Sequence, residues 1–111
     1  MNINKDKVKT LFFLSILIIY LLSVMPAQDL PPTNDKLNHI AAFCYLSFLG
    51  SFSFKMGRLF LMLFIYGIFI EFTQFFIPGR YCDWKDVVAD VVGILTGLIL
   101  YCGWRNFRQT V

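Results

Sequence analysis

The sequence predicts an all-α integral membrane protein: four short transmembrane helices in a compact bundle, with both termini in the cytoplasm. Three observations carry that prediction. Apolar residues make up 58% of the 111-residue chain and charged residues only 15%, with a mean hydropathy of +0.65, well outside the usage of soluble domains. The charges sit in short clusters between long apolar runs, as loops sit between membrane spans. Lys and Arg are also unevenly shared between alternate loops. The length fits a single domain over residues 1–111.

Apolar continuity gives four spans in order, over residues 10–25, 37–54, 59–77 and 87–104. Each is near the lower end of the roughly 17–25 residues that cross the hydrocarbon core. The first closes at Pro26, with Pro31 and Pro32 beyond it. The second closes at Lys55, Gly57 and Arg58, the third at Pro78 and Gly79, and the fourth at Arg105 and Arg108. The first span also has the outline of a signal peptide, since Lys5, Lys7 and Lys9 precede it and Ala27 offers a cleavage position. Met25 stands where a small residue is wanted and Pro26 is a poor neighbour for cleavage, so a retained helix is expected.

Orientation follows from the basic residues. Lys5, Lys7, Lys9, Lys55, Arg58, Arg105 and Arg108 fall on one side, and Lys36, Arg80 and Lys85 on the other. The positive-inside rule places the first group in the cytoplasm, so loops 26–36 and 78–86 face outward together. Trp84 and Trp104 then mark opposite interfaces of the fourth helix. Phe60, Phe64, Phe69, Phe72, Phe75 and Phe76 are expected in lipid contact and helix packing.

Several function classes fall away. No basic run or aromatic-basic interleaving points to nucleic acid. Cys44, Cys82 and Cys102 are odd in number and lack C-x-x-C spacing, which indicates neither a disulfide framework nor a zinc site. Cys44 and Cys102 read as small buried apolar residues. There is no H-E-x-x-H, G-x-S-x-G or glycine-rich phosphate loop, and His39 is the single histidine. No metal ligand set and no cofactor is assigned. A divalent metal on Glu71, Asp86 and Asp90 is compatible with the residues but has no sequence mark of its own.

The topology sends the unusual polar residues to one end of the bundle. Asp35, Lys36 and His39 open the second helix. Glu71 and Gln74 lie near the end of the third, Arg80 and Asp83 in the following turn, and Asp86 and Asp90 at the start of the fourth. Asp35 and His39 are i, i+4 neighbours, and Glu71 and Gln74 are i, i+3. Asp83, Asp86, Asp90, Gly93 and Gly97 step down one stripe, and the Gly93–Gly97 spacing admits a close neighbouring helix. An aspartate facing lipid at mid-bilayer costs about 2.5–3.5 kcal/mol. The acids are therefore expected to face inward, offset by Lys36, His39 and Arg80, around a partly wet pocket that opens outward. Structural roles stand beside the functional ones: Gln74 as an interhelical hydrogen bonder, Asp83 as a cap, Asp86 as an N-terminal helix acid and Arg80 as a headgroup anchor.

These residues, in this order, resemble the VanZ-like family of small bacterial membrane proteins. The resemblance runs through LSVMP, DKLNHIAAFCYL and EFTQFFIPGRYCDWKDVVADVVGILTG, and its most specific part is E-x-x-Q-x-x-x-P-G-R-x-x-D-x-x-D together with D-K-x-x-H. One departure is Asp90, where the family usually has asparagine. The resemblance implies a multi-pass protein of the bacterial cytoplasmic membrane, with a founding member linked to low-level teicoplanin resistance. Residue by residue it maps onto Asp35, Lys36, His39, Glu71, Gln74, Arg80, Asp83 and Asp86.

Three functions are expected to compete. In the first, the pocket binds an envelope lipid, a lipid-linked cell-wall precursor or a glycopeptide, with Asp35, Lys36, Gln74, Arg80, Asp83 and Asp90 as ligand-binding residues. In the second, Glu71, Asp86 and His39 are catalytic, as the acid/base groups of a membrane-embedded hydrolase or transferase. In the third, the chain is a non-catalytic scaffold that meets a membrane partner or a second copy of itself.

Overall fold

The structure is a computed structural model that describes residues 4–25, 35–77 and 83–110, the side chains of Asp35 and Thr110 apart. The described residues form four helices and no strand: α1 (Lys5–Ser23), α2 (Asp35–Gly50), α3 (Met56–Gln74) and α4 (Trp84–Thr110). They run up and down in turn. One end therefore gathers the C-termini of α1 and α3 with the N-termini of α2 and α4.

Helix ends follow capping and backbone chemistry more than apolarity. α1 begins five residues before the apolar run because the Asn4 side chain accepts from the Asp6 and Lys7 amides, at 3.0 and 3.1 Å, and so supports a charged first turn. α2 stops at Gly50, four residues short of the apolar run. There the Ser53 and Phe54 amides both turn back onto the Gly50 carbonyl. Gly57 and Arg58, expected between helices, lie inside α3, whose N-cap is Lys55. α4 runs six residues past Trp104, and in that extension Arg105 and Arg108 lie over the rings of Tyr101 and Trp104, at 5.9 and 5.3 Å.

α3 and α4 are long and apolar enough to cross a membrane. α2, with 16 residues, rises only about 24 Å. α1 carries Lys5, Asp6, Lys7 and Lys9 in its first turns. The expectation of four equivalent spans is therefore met in length and composition by two helices.

Close approach of α2 and α4 organises the bundle. A Cβ on Gly93 would stand 2.5 Å from the Ile40 carbonyl oxygen, and one on Gly97 would strike Ser47 Oγ and the Cys44 carbonyl oxygen. The expected glycine stripe is thus filled within the chain, by α2. α1 packs on α2 and α3 through Phe12, with Phe43, Leu46, Leu59, Leu63, Ile70 and Ile94 completing the core. Tyrosine hydroxyls cross-link the same helices: Tyr66 donates to the Ile16 carbonyl at 2.6 Å, and Tyr45 shares a 2.8 Å bond with Ser15.

The surface is greasier than a water-facing surface. Leu14, Ile18 and Leu21 on α1, Ile65, Phe69, Phe72, Phe75 and Phe76 on and just after α3, and Val92, Leu95 and Ile99 on α4 are all exposed, while Glu71, Gln74, Asp86 and Asp90 are buried. Polar groups inside and large apolar groups outside is the distribution that a hydrocarbon solvent selects. Of the phenylalanine stripe, Phe60 turns partly inward onto the core.

Candidate functional site

The site lies at the end shared by the start of α2, the end of α3 and the start of α4. Its outer layer is an ion-pair triangle. Lys36 Nζ stands 3.3 Å from Asp83 Oδ2 and 3.2 Å from Asp86 Oδ1. Asp83 also caps α4, since Oδ1 accepts from the Lys85 amide at 3.0 Å and its carbonyl accepts from the Asp86 amide at 2.9 Å. The Lys85 amide and then the Lys36 ammonium hold the Asp83 carboxyl below the usual carboxylate range.

One turn deeper lies the inner layer. His39 Nδ1 is 2.6 Å from Asp90 Oδ1, and His39 Nε2 faces Glu71 Oε1 at 3.8 Å. Glu71 Oε2 accepts from the Asp83 amide at 3.2 Å, which ties α3 to the start of α4. Two carboxylate oxygens, Glu71 Oε1 and Asp90 Oδ2, are buried with no hydrogen-bond partner. Space for Asp90 comes from Gly67: a Cβ there would stand 2.5 Å from Asp90 Oδ2. Across the described cluster, Glu71, Asp83, Asp86 and Asp90 face one lysine and one imidazole. The arrangement is rich in acceptors and short of positive charge.

The structure brings together Lys36, His39, Glu71, Asp83, Asp86 and Asp90 from the predicted set. Gln74 turns elsewhere, donating from Nε2 to the Ser23 carbonyl at 2.9 Å, so it serves as a bond to α1. Beside it, Thr73 and Tyr20 share a 3.2 Å hydroxyl contact between α3 and α1. Asp35 is the first residue of α2, and its side chain lies outside the described part of the chain. Arg80 and Cys82 lie outside the described residues. Cys44 and Cys102 are half-buried rather than fully buried. Gly67 is the residue that sequence reasoning missed. Its signal was its place one turn before Glu71 on the same helix face.

Fold and site together define a small protein, all-helical among its described residues, with two helices long and apolar enough to cross a membrane and a buried polar cluster at one end. The chain belongs to the VanZ/LLP1 family, whose model matches residues 3–106. It is also 30% identical, over 103 residues, to an uncharacterized protein of Schizosaccharomyces pombe. That match covers 86% of this chain and 63% of the yeast protein, so the chain spans somewhat under two thirds of that relative. No solved structure gives a significant match.

Proposed function

We propose that the chain is a multi-pass protein of the cell-envelope membrane, with both termini cytoplasmic, whose polar cluster forms an outward-facing pocket for the headgroup of a membrane-borne lipid or lipid-linked precursor. The observation that carries this reading is the graded cluster: Lys36 and Asp83 half-exposed at the rim, His39 largely covered, and Glu71, Asp86 and Asp90 buried behind them. Ionisable residues at such depth mark binding or transport paths in membrane proteins, because burying them without use is costly. Lys36 engages the headgroup anion, and the inner carboxylates take its hydroxyl, amine or bound cation. Family membership and an apolar exterior support the membrane setting. A relative in a fission yeast favours a lipid-borne headgroup over a ligand confined to bacterial cell walls. Protection against teicoplanin-type glycopeptides follows if the bound headgroup is the one on which the drug acts.

The test is drug susceptibility in a glycopeptide-sensitive Gram-positive host expressing wild type, Glu71→Gln or Asp86→Asn, with membrane abundance measured in each strain. Protection by wild type that is lost in equally abundant variants supports the reading. A well-inserted wild type that gives no protection removes glycopeptide resistance from it.

A second reading rests on the 2.6 Å contact between His39 and Asp90. A carboxylate that orients one ring nitrogen leaves the other free for proton transfer, with Glu71 across the gap as its partner. In that reading the bound lipid is hydrolysed or transferred. Turnover of a lipid-linked substrate by purified wild type, absent in Glu71→Gln, is the result that favours it.

A further inference from the structure

We propose that His39, Glu71 and Asp86 form a binding site for one divalent metal ion, best matched by Zn2+, with Asp90 orienting the histidine. The site stands on the helix geometry alone and does not require the headgroup reading.

The argument starts from the His39 ring. Nδ1 lies 2.6 Å from Asp90 Oδ1, whose side chain is 1% exposed, so a hydrogen on Nδ1 is donated to that carboxylate. In the neutral ring the lone pair then belongs to Nε2, and Nε2 faces Glu71 Oε1 across 3.8 Å. That separation is too long for a hydrogen bond. A lone pair aimed at a buried carboxylate oxygen repels it, and a cation between the two removes the repulsion.

Glu71 gives independent support. Its side chain is 4% exposed. Oε2 is held by the Asp83 amide at 3.2 Å, while Oε1 has no hydrogen-bond partner and points into the gap. Asp86 brings a third donor, and one ligand atom from each of His39, Glu71 and Asp86 lies within 4.8 Å of the other two. Zinc bonds of about 2.0–2.2 Å place neighbouring ligand atoms of a tetrahedron roughly 3.3–3.6 Å apart. Closing on the ion therefore takes shifts of about an ångström or less, within the reach of side-chain torsions.

The donor set narrows the ion. One imidazole with two carboxylates suits Zn2+ or Mn2+ better than Mg2+ or Ca2+, which prefer all-oxygen shells. A carboxylate accepting from the far nitrogen of a ligating imidazole is the usual outer partner of a zinc histidine, and Asp90 has that place. Three protein ligands leave a fourth position of a tetrahedral ion for water or an anionic oxygen. Two positive charges also offset the excess of carboxylates. The three ligands come from α2, α3 and α4 in turn, so the ion joins those helices.

The experiment uses the full chain purified in detergent, with Cys44, Cys82 and Cys102 replaced by serine so that no thiolate contributes. Zn2+ binding is measured by chelator competition and by metal content after dialysis, and the ligands by X-ray absorption. Wild type is expected to retain one Zn2+ per chain with nitrogen and oxygen neighbours. Glu71→Gln and His39→Gln are expected to bind at least 100-fold more weakly, and Asp90→Asn about 10–100-fold more weakly, as for an outer partner. Zn2+ is further expected to raise the thermal midpoint of wild type and leave that of Glu71→Gln unchanged, a readout that does not depend on equal stability of the two. A wild type without Zn2+, or Glu71→Gln with wild-type affinity and thermal response, overturns the site. Zn2+ binding without any headgroup or drug phenotype overturns the function above and leaves the metal site standing.

Discussion

His39 Nδ1 lies 2.6 Å from Asp90 Oδ1, joining α2 to α4 one turn below the ion pairs of Lys36. Both side chains are almost wholly buried, so Asp90 depends on this contact for its solvation. Asp90→Leu leaves the buried imidazole N–H without its acceptor and is expected to lower stability by about 1–3 kcal/mol, the usual cost of stranding a buried hydrogen-bonding group. Asp90→Asn keeps an acceptor oxygen for Nδ1–H and is expected to cost far less. Denaturant unfolding in one detergent, followed by helical circular dichroism, compares them. Equal losses in the two variants would refute the hydrogen-bond account.

The Gly93 and Gly97 face predicts a sharp contrast among glycines. Valine at either position meets backbone of α2, which cannot move aside without separating the helices. Loss of folded, monodisperse protein is the expected result, read by thermal stability and size-exclusion elution. A methyl group added at Gly57 or Gly103 would have nothing within 4 Å, so Gly57→Ala and Gly103→Ala place new carbon in open space. Those two are expected to be neutral or stabilising by up to about 1 kcal/mol, from helix propensity alone.

Much of this site was legible in the sequence because helix period and topology are both readable there. Spacing put Glu71 on an inward face, put Asp83, Asp86 and Asp90 on one stripe, and sent Lys36 and His39 to the same end. Pairing was not legible. Whether His39 meets Asp90 or Asp86 depends on the rotation of α2 against α4, which Gly93 and Gly97 set through backbone contact. Gln74 was grouped with the cluster because it is three residues from Glu71, yet its amide reaches α1. Helix ends were the least legible part. Apolarity reports where lipid is tolerated, whereas the Asn4 cap and the turn after Gly50 report where backbone hydrogen bonds begin and stop.

Lys36 separates stability from binding. Its side chain is 47% exposed, so water screens the lysine end of its ion pairs with half-exposed Asp83 and buried Asp86. Lys36→Met is therefore expected to change stability little. If Lys36 meets the headgroup anion, the same variant loses the drug or lipid phenotype at normal abundance. Stability loss that matches the phenotype loss would assign Lys36 to scaffolding instead.

Topology decides from which leaflet the proposed headgroup would come. By place in the sequence, seven basic residues fall in the terminal segments and the 55–58 turn and three, Lys36, Arg80 and Lys85, in the two alternate loops, which predicts that the cluster faces outward. Lys36, Arg58, Lys85 and Arg105 are exposed. Single cysteines at 36 and 85, in a chain whose native cysteines are serine, are expected to react with an impermeant maleimide on intact cells. Cysteines at 58 and 105 are expected to react only after permeabilisation. This pattern also requires α2 to cross, although its 16 residues fall short of the roughly 30 Å hydrocarbon core. Crossing by α2 is expected to go with local thinning of the bilayer or entry of water around the buried carboxylates. Labelling of 58 and 105 on intact cells, with 36 and 85 protected, reverses the orientation. The cluster would then draw its ligand from the cytoplasmic leaflet, and direct action on an extracellular drug target would be ruled out.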